Sequence, residues 1–197
     1  MSFNKFENIE DSTQKEFLKN FKEVNLLISH NFKKQFNRTL PIGDLHSDRW
    51  EKSKNLNFGE GSNIYDSSYV FGDVEVGRNC WIGMFTVIDG SGGLKIGNNC
   101  TISAGVHIYS HDNVKATLLP QHYKIAQSPV SIGNNVYIGP HSIISKGVTL
   151  GNCSVVAANS FVNKSFPDNA IIAGNPGKKI GEVVINNNEV SYKYYNH

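Results

Sequence analysis

The sequence predicts an all-β chain wound as a parallel solenoid, with a helix ahead of it and one loop thrown out of it. Three observations carry this expectation. Aliphatic residues recur every six positions at Ile64, Val70, Val76, Ile82 and Ile88, slip by two, and resume at Ile96, Ile102 and Ile108. The beat breaks at Ile108-Tyr109-Ser110-His111-Asp112-Asn113 and restarts at Ile132, Ile138, Ile144, Leu150, Val156 and Val162. Gly or Ala often follows the aliphatic, as in Ile132-Gly133-Asn134-Asn135-Val136-Tyr137 and Ile96-Gly97-Asn98-Asn99-Cys100-Thr101. A helix needs a period near 3.6 and an ordinary strand a period of 2. A strict six fits neither, whereas short fixed repeats mark solenoids, whose units bury their apolar side only by stacking.

Taken in order, the polar start Met1-Ser2-Phe3-Asn4-Lys5 does not read as a signal peptide. Thr13-Gln14-Lys15-Glu16 reads as a capping box opening a helix with Phe17, Phe21, Val24, Ile28 and Phe32 on one face. Pro41 and the Gly43-Asp44 pair break that helix into a loop leading to Asp48-Arg49-Trp50. Residues 1–60 are thus expected to form a helical cap and lead-in, an amphipathic lid over the open end of the coil, because a solenoid needs caps.

Residues 61–181 carry the repeat. Three short strands joined by tight corners make a triangular coil, so residues 18 apart should stack at roughly 4.8 Å. Gly, Asn and Asp at the corners tolerate the left-handed backbone such turns need. The slip through Asp89-Gly90-Ser91-Gly92-Gly93 reads as a small bulge at a corner. The segment of about 112–129, with Lys115, Leu118, Leu119, Pro120, His122, Tyr123 and Lys124, reads as an extruded loop. A solenoid gains nothing structural from such a loop, and long loops on rigid scaffolds tend to carry function. Residues 182–197 hold two alternating segments around an Asn run, which predicts a hairpin-like tail over the last coil.

Composition agrees. At 197 residues and 39% hydrophobic content, one solenoid domain with appendages has ample core. A net charge of +2 gives no electrostatic footprint for nucleic acid, and no apolar run approaches membrane-spanning length. Cytoplasm is the expected location. Cys80, Cys100 and Cys153 lack metal-site spacing, and Cys80 and Cys100 occupy small inward slots where a thiol is a compact apolar filler.

The hexads, the Ile108-to-Asp112 segment, the extruded loop and the closing Ile172-Ala173-Gly174-Asn175-Pro176-Gly177-Lys178 resemble the left-handed β-helix, hexapeptide-repeat acyltransferases. Within them the chain is most similar to the bacterial polysaccharide O-acetyltransferases, relatives of the galactoside and maltose acetyltransferases. The resemblance covers roughly residues 40 to 181. It implies left-handed winding, a homotrimer with active sites between subunits, acetyl-CoA as co-substrate, and no metal. It also implies a sugar acceptor of surface-polysaccharide (O-antigen or capsule) biosynthesis, and neither nucleic acid nor an integral membrane segment as partner.

His111 matches the family's catalytic histidine. Acyl transfer from a thioester to an alcohol needs a base, and neutral imidazole suits the task. Asp89 lines up with an aspartate that contacts acceptor hydroxyls in galactoside-type relatives, and is expected to bind acceptor. Asp112 is the other carboxylate at hand to orient the base, but consecutive side chains of extended backbone point oppositely. The Arg49-Trp50 pair resembles one that related enzymes carry before their first hexads, and is expected to approach the acceptor. His107, His122 and His141 are weaker candidates, and His30 and His46 lie outside the array.

For the donor, the resemblance implies coenzyme A beside the coils after the loop. Gly139 and the small residue Ala158 would lie along the pantetheine, with Lys164 and Lys178 near its phosphates. Stacking by 18 predicts one column of Pro140, Ala158 and Pro176, and another of Lys146 and Lys164. Two departures from the galactoside type stand out. Gly83, Met84 and Phe85 occupy the place of an asparagine that helps the transition state. Pro140 occupies the place of an oxyanion-binding amide and has no N–H, so a neighbouring amide is expected to take over. Three other readings compete: an N-acetyltransferase of a nucleotide-linked amino sugar, a zinc hydratase of the γ-carbonic anhydrase type, and a non-enzymatic interaction protein on the same prism.

Overall fold

The computed structural model describes residues 11–195, and the Met1-to-Lys5 segment lies outside the described residues. Backbone contacts divide the chain between His46 and Ser47. In the first unit, helix α1 (Ser12–Phe36) is capped by Asp11, whose carboxylate accepts from the Gln14 amide at 2.9 Å. The cap is therefore two residues earlier than Thr13, because an aspartate already stands within reach of that amide. Asn37 ends the helix in the left-handed conformation, its N–H donating to Lys33 O. The expected loop after Pro41 contains a second helix, α2 (Ile42–His46), tied back to α1 by a His46 Nε2···Asn25 Oδ1 contact of 3.0 Å.

The second unit opens with helix α3 (Arg49–Asn55), capped by the Asp48 carboxylate on the amides of Trp50 and Glu51. The helix begins where the expected loop leads to Asp48-Arg49-Trp50. Its Lys52 ammonium donates to the carbonyls of Tyr65, Asp66 and Ser68 at 3.1, 2.9 and 3.2 Å. Packed against Asn63–Ile64, α3 covers the first coil.

From there the chain is a left-handed parallel β-helix. One face stacks Asn63–Ile64, Trp81–Ile82, Thr101–Ile102, Tyr137–Ile138, Val155–Val156 and Ala170–Ala173. The other two faces share a sheet, because strands Tyr69–Val76 and Val87–Ile96 bend around the corner between them. Ile64, Ile82, Ile102, Ile138, Val156 and Ile172 form one inward column at 0% exposure, so every coil buries the same aliphatic position. Each such side chain contributes about 1.5–3 kcal/mol. Asn79, Asn99, Asn135, Cys153 and Asn169 turn one set of corners with positive φ, where Asn is among the best-tolerated side chains. Cys80 and Cys100 fill inward slots at 1% exposure, as expected, and each thiol donates to a carbonyl, of Gly97 and Gly133 respectively.

The register records each irregularity. Asn63 pairs with Trp81, 18 residues on, but Trp81 pairs with Thr101, 20 on, so the slip adds two residues to one coil. Ile108 pairs with Ile144, 36 on, so the extruded loop consumes one coil's length and returns the chain in register. At the far end Val156 pairs with Ile172, only 16 on. This shortened coil overturns the expected column: Phe161 N donates to Gly174 O, and Pro176 falls in the turn beyond, after a cis Asn175–Pro176 bond. The tail is the expected hairpin, beginning earlier than expected. Lys178–Asn186 pairs antiparallel with Ala170–Ala173 and, through Asn187-Asn188, both at positive φ, with Glu189–Tyr194.

Candidate active site

The two irregularities of the hexad pattern meet in space. Val87 and Ile88 pair with His107 and Ile108, which sets the slip beside the break on one edge of the prism. Beyond Ile108, Ser110 O accepts from Ser128 N at 2.9 Å, and a two-pair antiparallel neck, His111 with Gln127 and Asp112 with Ala126, closes the base of the loop. Inside it lies helix α4 (Val114–Leu118), its first amide bonded to the Asp112 carboxylate.

At that edge His111 Nδ1 lies 2.6 Å from Asp89 Oδ2. A carboxylate only accepts, so Nδ1 carries a proton, and in the neutral imidazole this tautomer leaves the lone pair on Nε2. Asp89 is 1% exposed. Its Oδ1 accepts from the Ser91 amide at 3.0 Å and the Ser91 hydroxyl at 2.5 Å, and its Oδ2 also accepts from the Ser110 amide at 2.9 Å. Burial pushes this carboxyl up, but the hydrogen bonds from Ser91, Ser110 and His111 outweigh burial and hold it down at about 2. It is a fixed anion at neutral pH. The His111 side chain is 36% exposed against 2% for its partner, so the imidazole faces outward over a buried carboxylate.

Asp89, expected to bind acceptor, is buried and engaged on both oxygens, and its Oδ2 lies within hydrogen-bond distance of His111, where a carboxylate that orients an imidazole would lie. Asp112 points away from that role and pairs with Lys146 at 3.2 Å. The register keeps Lys146 and Lys164 on adjacent coils, with the Lys146 ammonium on Asp112 and the Lys164 ammonium over the Phe166 ring. The dyad's supports, Ser91 and Ser110, are absent from the sequence reading. Both sit inside the irregular hexads, which was their only signal. Ser110 Oγ accepts from the Gly92 amide at 2.8 Å, so it ties the slip to the break.

The remaining histidines stand apart from the base. His107 Nδ1 contacts the Tyr109 hydroxyl at 3.2 Å, and the Tyr109 ring stands edge-on to His111 at 6.5 Å between centroids. His141 turns a corner at φ 57°. His122 is exposed in the loop.

The expected donor residues divide between edges. Gly139 and Ala158 stack on the corner after the first face, so closely that a methyl on Gly139 would stand 2.6 Å from the Ala158 nitrogen. Lys164 follows Val162 on the edge that carries His111, and Lys178 opens the tail hairpin. One subunit does not gather all four around His111. The oxyanion expectation also changes. The amides flanking Pro140 are committed to the ladder, Gly139 N to Val156 O at 2.8 Å and His141 N to Ala104 O at 3.0 Å. Neither can replace the missing N–H. Phe85, at the other departure, is exposed at φ 58°.

Arg49 and Trp50 sit on α3 beside the first coil, two coils before His111 and near a different corner. The Arg49 guanidinium lies over the Trp50 ring at 4.8 Å and over the Tyr65 ring at 4.6 Å. Among the described residues no group of three His, Cys, Asp or Glu side chains is placed to hold a metal, and no helix is long and apolar enough to cross a membrane.

The chain matches two family descriptions, "Hexapeptide repeat of succinyl-transferase" over residues 73–110 and "Bacterial transferase hexapeptide (six repeats)" over residues 129–164. The gap between them is the extruded loop. Galactoside O-acetyltransferase of Escherichia coli K12 is 32% identical over 144 residues, 70% of this chain and 63% of the relative. The putative colanic acid biosynthesis acetyltransferase WcaF of the same strain is 32% identical over 111 residues, 55% of this chain and 58% of the relative. The chain thus spans less than two thirds of these relatives. Among solved structures, galactoside acetyltransferase in complex with coenzyme A superposes with TM-score 0.63 at 29% identity, covering 82% of this chain and 81% of that one. AntD, an N-acyltransferase from Bacillus cereus in complex with dTDP and 3-hydroxybutyryl-CoA, gives 0.58 at 28% identity, covering 62% and 70%.

Proposed function

The chain belongs to the hexapeptide-repeat acyltransferase family, and on that premise we propose that it is an acetyl-CoA-dependent O-acetyltransferase acting on a sugar hydroxyl in surface-polysaccharide biosynthesis. The observation that carries the reading is the His111–Asp89 pair, an outward imidazole whose Nε2 is left basic by a buried carboxylate. In the reaction, Nε2 takes the proton of the sugar hydroxyl as its oxygen attacks the acetyl carbonyl. The C–S bond then breaks, the thiolate leaves as coenzyme A and recovers the proton from His111, and the acetyl group ends on oxygen. Asp89 holds the imidazolium that forms in between, as a fixed anion should.

The donor would lie along the late coils, with Gly139 and Ala158 beside the pantetheine and Lys164 and Lys178 near the phosphates. Their separation on two edges within one subunit supports a homotrimer with sites between subunits. The WcaF similarity supports a polysaccharide context. AntD supports a second reading, an amine of a nucleotide-linked amino sugar as acceptor, because its structure holds dTDP and an acyl-CoA.

The test is acetyl-CoA turnover against hydroxyl sugars, amino sugars and nucleotide sugars, with the acylated atom located by NMR. His111→Ala should lower kcat by about 10²–10⁴ while coenzyme A still binds. Near-normal turnover in that variant removes the proposed base, and acylation at nitrogen alone selects the second reading.

A further inference from the structure

The Arg49 cation is held without an anion. Its guanidinium lies over two aromatic rings, Trp50 at 4.8 Å and Tyr65 at 4.6 Å, and Tyr65 is itself 4% exposed and braced edge-on by Trp81. The rings stabilise the positive charge through their faces, yet they offer no conventional acceptor to its five N–H donors. Among the described residues no carboxylate pairs with Arg49: the nearby Asp48 caps α3 and Asp66 pairs with Lys52 at 3.5 Å. The cation is therefore pre-positioned at little further entropic cost, with its hydrogen bonds unspent.

The same indole borders a cleft. Trp50 is 51% exposed and, with Ser53, Lys54, Phe58, Gly59 and Glu60, lines a space of about 390 Å³, within the size range of small-ligand sites. Ser53 is 1% exposed, and its hydroxyl has no hydrogen-bond partner within the protein. A buried hydroxyl in that state costs free energy until something bonds to it. An exposed aromatic face, an unpaired hydroxyl, a carboxylate and an ammonium are the groups that take up a sugar ring and its hydroxyls.

From these two observations we propose that Arg49, Trp50 and the adjoining cleft form a binding site for an oxyanion-bearing saccharide unit of the acceptor. Arg49 takes the oxyanion by paired N–H bonds, and Trp50 carries the sugar ring. The assignment rests on the acetyltransferase reading for the word acceptor, and goes beyond it by giving the acceptor a charge. The site lies on the first coil and near a different corner from His111, so it holds a unit other than the one acetylated by the same subunit. Two sources present the same chemistry, the carboxylate of an acidic sugar and the phosphate of a sugar phosphate.

The experiment is calorimetric titration of the full chain with glucuronate, glucose 1-phosphate and glucose, and separately with coenzyme A. Wild type should bind at least one anionic sugar about tenfold or more tightly than glucose, a gap of about 1.4 kcal/mol. Preference for glucuronate identifies an acidic sugar, and preference for the phosphate a phosphate-linked one. Arg49→Gln should erase the preference, and Arg49→Lys should restore only part of it, since an ammonium lacks the planar fork. Trp50→Leu should weaken all three sugars. Equal binding of charged and neutral sugars by wild type, or an undiminished preference in a folded Arg49→Gln, overturns the proposal. Absence of coenzyme A binding would instead overturn the acetyltransferase reading and leave the charge preference standing by itself.

Discussion

Replacing Asp89 with Asn keeps the shape of the dyad and changes one atom, which makes its consequences calculable. Five bonds converge on the carboxylate: the amide and hydroxyl of Ser91 on Oδ1, and the Ser110 amide, the Ser110 hydroxyl and His111 Nδ1 on Oδ2. An asparagine presents one oxygen and one NH₂. Turned either way, its NH₂ faces a backbone N–H, of Ser91 or of Ser110, which cannot reverse. If the NH₂ faces Ser110 it also faces His111, which must then accept at Nδ1 and carry its proton on Nε2, the wrong tautomer for a base.

The carboxyl sits at about 2 instead of 3.8. At ~1.36 kcal/mol per pKa unit, that difference is worth about 2 kcal/mol of native-state stability. In a chain of this size ~2–4 °C accompany each kcal/mol, so melting should fall by about 4–8 °C. Turnover should fall by about 10²–10⁴, as expected when a general base loses its orienting anion. The assay is kcat/KM against pH, alongside thermal melting. The sign gives a further check. A depressed native pKa contributes stability that is full above the unfolded value near 4 and lost as pH falls toward 2. Asp89→Asn should abolish that portion of the acid destabilisation. Activity within threefold of wild type, or an acid limb of stability identical to wild type, would refute the assignment of Asp89 as an ionised orienting group.

Four further outcomes follow from the same coordinates. Ser91→Ala should shrink the acid-dependent loss of stability and end it at higher pH, because it removes the largest bond lowering Asp89 while the unfolded value stays near 4, and Ser91→Thr should restore it; an unchanged acid titration of stability counts against the bond. Ile138→Ala, at 0% exposure in the stacked column, should cost about 2–5 kcal/mol in denaturant unfolding, and a loss under 1 would mean that the coil collapses around the cavity. Gly139→Ala places a methyl against the Ala158 backbone, and should lower the melting temperature even where coenzyme A is absent. Lys178→Glu should chiefly raise the apparent KM for acetyl-CoA, whereas an unchanged KM takes Lys178 out of the donor site.

The six-residue beat fixed the prism before any coordinates, because in a solenoid the inward position of each coil repeats by contact with its neighbours. Ile64 through Val162 needed only counting. The beat's two defects were legible for the same reason, as the places where the count failed. His111 followed from its place at the break and from a family resemblance, and the sequence offered Asp89 and Asp112 as carboxylates near it without showing which of them meets it. Asp89 and His111 lie 22 residues apart, and only the stacking of the slip onto the break puts them 2.6 Å apart. The acceptor role expected for Asp89 comes from resemblance alone, whereas its contact with His111 is a product of stacking. Ser91 and Ser110 are ordinary residues until their donors converge on one buried anion.

Other features were decided by tertiary structure because they depend on small offsets that spacing alone does not carry. The last coil's register of 16 instead of 18 moves Pro176 out of its expected column. The ladder commits both amides beside Pro140, so the missing N–H has no local replacement. Lys146 finds Asp112 across the loop's base. The sequence by itself determined which residues point inward, since burial of a periodic aliphatic is enforced at every coil. The tertiary structure decided which polar groups meet, since hydrogen bonds and charge pairs depend on ångström offsets that accumulate from bulges and turns, and these leave the apolar period intact.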